Sequence, residues 1–190
     1  MKEELTVPNT WTDVTVKQYQ LFEENISSNL KDKEKMIKSI SILCGVDVKI
    51  VKKLKQKAIK EIALELNKLD TLKPLSMELK KTFNHNGIEY GLIPNLSEMT
   101  TGEFIDLETF CNDGAMKNLH GLLSILYRPI VGETNNFDQY NIESYEPNEE
   151  KENMMLDLSM DIALGCVNFF FHLGEQLITD SLNYLQKKKN

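Results

Sequence analysis

The residues of this chain that could do chemistry are scattered, and no catalytic motif connects them. The sequence contains no glycine-rich phosphate loop, no HExxH metal-binding motif and no GxSxG nucleophile motif. Its three histidines are far apart, and the six-residue spacing of Cys166 and His172 places these two on different faces of a helix. We therefore expect no metal, no cofactor and no nucleotide, and we predict that the protein is not an enzyme.

The carboxylates that lie close together in sequence suit structural roles better than acid–base catalysis. Glu103 and Asp106 share one helix face, but Glu103 stands three residues after Thr100 and completes a capping box. Asp157 and Asp161 are four residues apart near the start of an apolar helix, where a carboxylate favours the helix dipole or caps the helix. We expect neither pair to act as a general acid and base.

Arg128 is the only arginine of the chain, and its position allows two roles. At the end of a helix it can donate hydrogen bonds to the last carbonyl groups. Alternatively, its guanidinium can form a bidentate contact with a carboxylate of the same or a neighbouring subunit. The second role makes Arg128 a candidate partner-binding residue.

The strongest helix-start signal in the sequence is the pair Thr100 and Glu103. Thr100 as N-cap and Glu103 three residues later can each satisfy a backbone N–H of the first turn. A second helix follows, with Asp113 as its predicted N-cap and Pro129 as its end. Its core-facing stripe consists of Leu119, Leu122, Leu123 and Leu126. We predict a helical hairpin over residues 100–128.

The remaining segments predict a mainly α-helical fold. Asn86-Gly87, flanked by β-type residues, is the preferred pair for a type I′ turn and predicts one small β-hairpin. An acidic, Asn-rich stretch then predicts a long loop, and the apolar pattern after it predicts a long C-terminal helix. The predicted single domain over residues 1–190 contains an N-terminal helical layer (1–74), the β-hairpin (80–92), the central helical hairpin (100–128), the acidic loop (131–150) and a C-terminal helical region (151–187).

The formal net charge of −7 is distributed unevenly along the chain. Residues 1–81 carry 16 lysines and 12 acidic residues, whereas residues 82–190 carry 6 Lys or Arg and 17 acidic residues. The negative total argues against direct nucleic-acid binding, because neutralising phosphates requires a basic face. The asymmetry either orients subunits head to tail or reflects two separately solvated faces.

The sequence also indicates the expected environment. Three widely separated cysteines, Cys44, Cys111 and Cys166, are typical of thiols in a reducing compartment, and the N-terminus lacks the apolar run of a secretory signal. The longest apolar tract, Ile162 to Leu173, is shorter than the roughly 20 residues that span a bilayer. We expect no membrane span.

Aromatic side chains in the acidic loop indicate an interaction surface. A polar loop of this length is uncommon in a compact domain unless it has a function, and aromatic side chains are enriched at interfaces. We therefore predict partner contacts there and at the C-terminal tail, through Phe137, Tyr140, Tyr145, Leu182, Tyr184 and Leu185. The alternative is that the loop aromatics fold back onto the apolar C-terminal helix.

Several stretches together resemble a group of small proteins encoded among the virion genes of tailed bacteriophages. The stretches are WTDVTVKQYQLF, GIEYGLIPNLSEMTTGEFIDLETF, NLHGLLSILYRPI and MDIALGCVNFFF. The composition, rich in Lys, Asn and Ile, is most similar to that of proteins from crass-like phages of gut Bacteroidales. The resemblance extends from about Trp11 to Phe171. These motifs are packing and capping signals, so the resemblance assigns no catalytic residue.

The resemblance implies a non-enzymatic virion-associated protein, made in the bacterial host cytoplasm and located in the tail or head interior as a structural or cargo component. It implies several copies per particle and contacts with other virion proteins, such as portal, tail or ring components. Two alternatives stay open. One is a tail-assembly chaperone that is absent from the mature particle, and the other is a small intracellular helical adaptor.

Overall fold

The computed structural model describes residues 5–71, 77–136, 139–170 and 172. Within these ranges the strands form one sheet, and buried residues of the helices and of the sheet share one core. The helices are α1 (Val16–Ser27), α2 (Asp32–Leu43), α3 (Val48–Val51), α4 (Gln56–Thr71), α5 (Thr101–Asn112), α6 (Leu119–Leu126), α7 (Glu149–Met154) and α8 (160–170). The strands are β1 (Thr82–His85), β2 (Ile88–Leu92), β3 (Tyr127–Asn136) and β4 (Gln139–Ile142).

The N-terminal helices are joined by one capping side chain. Thr15 and Gln18 form the predicted capping box at the start of α1, in which the Thr15 N–H donates to Gln18 Oε1 at 2.9 Å. The Gln18 amide also donates to the carbonyl groups of Ile42 and Leu43 at 3.1 and 3.2 Å. The same side chain therefore begins α1 and satisfies orphan carbonyls at the end of α2. Gly45, with φ of +64°, then turns the chain away from α2.

The four strands form an antiparallel sheet in the order β1-β2-β3-β4. The predicted hairpin is confirmed: Asn86 and Gly87 have φ of 53° and 82°, as a type I′ turn requires, between β1 and β2. β3 pairs with β2 through residues 127–129 and with β4 from Ile130 onward. Pro129 lies where the partner changes, at a position where the missing N–H is tolerated.

The predicted fold class, mainly α with one small hairpin, is wrong, because the protein is a mixed α/β fold with a four-stranded sheet. The predicted helical hairpin over residues 100–128 ends early: α6 stops at Leu126, and residues 113–118 form turns. Tyr127 then enters β3 without a loop and is fully buried. A strand is favoured here over further helix because β2 has a free edge for pairing. The Tyr127 ring also contacts Phe83, with 5.0 Å between the ring centroids.

The stretch predicted as an acidic loop over residues 131–150 contains most of β3, all of β4 and the start of α7. Its polar composition concealed the strands, in which the paired residues Val131 and Asn141 are exposed. Of the predicted C-terminal helical region, residues 151–157 and 160–170 are helical, and residue 171 and residues 173–187 lie outside the described part of the chain.

The C-terminal helix α8 closes the core against the N-terminus of the described chain. An isolated antiparallel bridge joins Thr15 and Ser159, and the N–H of Met160 donates to the Val14 carbonyl at 2.7 Å. Farther along α8, a Cβ on Gly165 would lie 2.3 Å from the carbonyl oxygen of Glu78. Gly165 thus allows the segment before β1 to pass directly over the helix.

Leu122 and Leu126 are 8% and 4% exposed, which confirms the sequence expectation that they are buried. We predict that Leu122→Ala lowers the free energy of unfolding by about 2–5 kcal/mol, through lost burial and the cavity left behind. Urea denaturation measures this value. Leu64→Ala is the matched control, because Leu64 is 64% exposed on α4 and its truncation should change stability by about 0.5 kcal/mol or less. Equal losses in the two variants would contradict the placement of α6.

Candidate functional site

Glu103 and Arg128 form a buried ion pair between a helix start and a strand. Arg128 Nη2 lies 2.7 Å from Glu103 Oε1, and both side chains are buried. The other carboxylate oxygen of Glu103 accepts a hydrogen bond from the Thr100 N–H at 2.5 Å, as the capping box predicts. One carboxylate therefore caps α5 and binds the guanidinium, so Arg128 contacts a carboxylate of its own chain rather than helix-end carbonyls.

Tyr145 extends this pair into a larger polar cluster. The guanidinium carbon of Arg128 lies 5.9 Å from the centroid of the Tyr145 ring, within the range of a cation–π contact. The Tyr145 hydroxyl donates to Asp106 Oδ2 at 2.7 Å. Glu103 and Asp106 share one face of α5, as predicted, but this face is turned toward the fold, where Glu103 is buried. Their partners come from β3 and from the segment after β4.

The electrostatics of the cluster favour an ionised Glu103. Burial alone would raise its pKa, but hydrogen bonds from Thr100 and the charge of Arg128 outweigh burial and hold the pKa below its ordinary value. Burial raises the pKa of Tyr145, and its hydrogen bond to Asp106 raises it further. Burial also raises the pKa of Glu152, with additional contributions from Glu149 and Asp106. The cluster is therefore a charged pair bordered by acidic side chains.

The space beside the cluster is too small for a ligand. The cavity lined by Arg128, Tyr145 and Lys151 has a volume of about 10 Å³, which is room for roughly one water molecule. Arg128 Nε is buried without a hydrogen-bond partner among the residues that the structure describes. We conclude that this cluster positions α5 and has no volume for a substrate.

The other predicted partner-binding residues fall into two groups. The Tyr140 hydroxyl lies 2.8 Å from the Leu92 carbonyl oxygen, and its ring covers Gly91, where a Cβ would come within 2.3 Å of it. Tyr140 and Tyr145 thus pack on their own chain, Tyr140 against the sheet and Tyr145 against α5. The other four candidates, Phe137, Leu182, Tyr184 and Leu185, lie outside the described residues.

Asp161, His120 and Cys166 are also held within the fold. Lys80 Nζ lies 2.7 Å from Asp161 Oδ2. His120 Nδ1 lies 3.1 Å from the Gln20 amide nitrogen, and burial lowers the pKa of its imidazole. Burial raises the pKa of the Cys166 thiol to about 12. In the described ranges, no group of three or more His, Cys, Asp or Glu side chains is placed to hold a metal ion.

Two grooves between the N-terminal helices offer more space than the polar cluster. The apolar groove, between α1, α2 and α4, has a volume of about 350 Å³ and is lined mainly by Trp11, Phe22, Ile26, Ile40, Leu43 and Leu66. The lysine-rimmed groove, between α2, α3 and α4, has the same volume. Its aliphatic walls come from Met36, Ile37, Val51, Leu54 and Ile59, and Lys33, Lys52 and Lys60 stand at its rim.

A third surface is the outer face of α5. Phe104 and Ile105 are 55% and 53% exposed, and exposed Glu108 follows them one turn later; we call these three residues the α5 ridge. The sequence reading missed both the ridge and the grooves. A signal was present in α5, where Phe104 and Ile105 lie on the side of the helix opposite Glu103 and Asp106.

We predict that Arg128→Met lowers the free energy of unfolding by about 3–5 kcal/mol, because Glu103 is left as an uncompensated buried charge. Adding Glu103→Gln should recover part of this loss, so the double variant should be more stable than the sum of the single losses indicates. Urea denaturation of the four proteins measures the coupling. Lys57→Met is the control, since its exposed pair with Glu61 should contribute about 1 kcal/mol or less. Additive losses at Arg128 and Glu103 would contradict a direct pair.

The lowered pKa of Glu103 also predicts a pH dependence. A carboxylate with a lower pKa in the folded state stabilises the fold above its ordinary pKa of about 4.5, and the contribution disappears as the pH falls through the folded-state value. Glu103→Gln should therefore reduce the loss of stability on acidification below about pH 4.5. Thermal unfolding of wild type and variant across this range measures the difference. Parallel pH profiles would show that Glu103 does not titrate with folding.

None of the described helices is long and apolar enough to cross a membrane. No protein-family model matches the chain, and comparisons with curated proteins and with solved structures found no match.

Proposed function

We propose that this protein is a non-enzymatic protein-binding component that works in several copies, as a virion-associated structural or cargo protein of a tailed bacteriophage. The observation that supports binding rather than catalysis is the contrast between its polar cluster and its grooves. The tightest assembly of charged groups borders a cavity of about 10 Å³, whereas two grooves of about 350 Å³ have largely aliphatic or aromatic walls. Such grooves suit side chains of another protein.

The distribution of the polar groups supports the same proposal. Glu103, Asp106 and Asp161 bind Arg128, Tyr145 and Lys80 of the same chain, so their oxygens are used in holding elements together. A general acid or base needs access to a substrate proton, and the Glu103 carboxylate is buried against its cation.

The phage context comes from the sequence resemblance. From this resemblance we propose a location in the tail or head interior of the virion, synthesis in the bacterial host cytoplasm, and partners among portal, tail or ring components. The described fold is compatible with that context through the adjacent exposed side chains of Phe104 and Ile105, which suit a contact with another protein.

A tail-assembly chaperone is the second candidate, and the apolar groove favours it. A groove between helices with Trp11, Phe22 and Leu66 in its walls is the kind of surface that receives the apolar face of an amphipathic helix. A chaperone of this kind would bind helical tail proteins during assembly and leave before the particle is complete.

Quantitative mass spectrometry of purified virions tests the proposal, with the major capsid and tail proteins as internal standards. A virion component should be present at a fixed ratio to the tail proteins through successive purification steps. A chaperone should be abundant in infected cells and absent from purified particles. Genes without any phage function on both sides of the coding sequence would contradict both candidates and favour the adaptor.

A further inference from the structure

The lysine-rimmed groove combines aliphatic walls with a strongly basic border. Residues 52–60 hold five lysines and no acidic residue. Lys33, Lys52 and Lys60 stand at the rim, and among the described residues none of the three pairs with a carboxylate. A partner for this groove should therefore present an apolar ridge with negative charge beside it.

The α5 ridge has this composition. Its two apolar side chains are more than half exposed, and Glu108 lies within reach of both on the same helix face. Residues 82–116 hold six acidic residues and no Lys or Arg.

Within one molecule the ridge and the groove do not meet. The groove is lined by α2, α3, α4 and the residues between them, whereas α5 packs on α6. No described part of the chain covers either surface, so each is offered to another copy. Exposed apolar side chains on one surface and aliphatic walls on the other would both lose contact with water on docking.

We propose that the α5 ridge of one copy docks into the lysine-rimmed groove of the next copy. Phe104 and Ile105 enter between the aliphatic walls, and Glu108 meets the rim lysines Lys52 and Lys60. This inference deepens the multi-copy part of the proposed function and rests on it. The two surfaces differ, so the contact is heterologous and builds a head-to-tail ring or an open filament rather than a two-fold dimer.

Sedimentation velocity of the full-length protein over a range of concentrations and salt tests the inference. We expect oligomers larger than a dimer that weaken as salt screens the rim charges. Phe104→Asp should weaken self-association by about thirtyfold or more, as expected for a central apolar anchor. Glu108→Lys, and Lys52→Glu combined with Lys60→Glu, should each weaken it by about tenfold. Lys17→Glu is the control, because it reverses the charge of an exposed lysine of α1 outside both surfaces and should have no effect.

A charge-exchange experiment is the decisive test of the ridge–groove contact. When the Glu108→Lys variant is mixed with the Lys52→Glu/Lys60→Glu variant, every unlike contact again pairs opposite charges and every like contact repels. The mixture should assemble at concentrations at which each variant alone, weakened about tenfold, stays largely dissociated. The triple variant should also assemble by itself. Because the changed residues are exposed, thermal unfolding should show all variants folded.

Several outcomes would overturn the inference. A wild-type protein that stays monomeric, or that stops at a closed dimer, contradicts head-to-tail docking. Assembly that survives Phe104→Asp, or a mixture that fails to assemble, contradicts this particular contact. The virion measurement is independent: presence in particles with no self-association leaves the proposed function and removes the inference. Self-association without presence in particles removes the proposed function and leaves the inference.

Discussion

The buried ion pair of Glu103 and Arg128 is the constraint on which the arrangement of α5 depends. A carboxylate removed from water needs partners for both oxygens, and Glu103 finds one at the start of its own helix and one on β3. The two residues belong to different elements, so satisfying the charge also fixes the helix against the sheet. Tyr145 adds the segment after β4 to the same cluster through its contacts with Arg128 and Asp106.

This constraint gives α5 an unusual polarity. A surface helix ordinarily turns its apolar side to the core and its charged side to water. In α5 the inner face carries Glu103 and Asp106, whose charges are matched inside the fold, and the outer face carries Phe104 and Ile105. Phe110 maintains the packing on α6, where Gly121 leaves room for its ring and a Cβ would lie 2.6 Å from it.

Local signals in the sequence predicted local structure well. The capping boxes at Thr15 and Thr100, the Asn86-Gly87 turn and the buried leucines of α6 depend on residues within a few positions of one another, and all are present. The strands β3 and β4 were missed, since β3 pairs with β2, which lies far earlier in the sequence, and β4 pairs with β3 within a stretch whose polar composition predicts a loop. The leucine stripe of α6 runs up to β3 without a turn residue, and this continuity concealed the change from helix to strand.

The same distinction applies to the candidate site. The sequence left two roles open for Arg128, because the carboxylate that binds it stands 25 positions earlier and only the fold brings them together. Tyr140 and Tyr145 carried an interface signature, yet their hydroxyl groups are used to close the sheet and to hold α5. An aromatic residue in a polar stretch thus indicates a contact without indicating whether the contact lies within the chain or outside it.

The segregation of charge supports an external role for the surfaces that remain. Lysines on helices are readily neutralised by acids three or four positions away, as Lys57 with Glu61 and Lys68 with Glu65 show. The rim of the groove has no such neighbours, and the acidic region around α5 has no nearby lysine in sequence. Keeping like charges together costs self-repulsion in the isolated molecule. That repulsion is relieved when oppositely charged surfaces of two copies meet. Apolar burial does not depend on orientation, so the charges determine which surface of one copy faces the next.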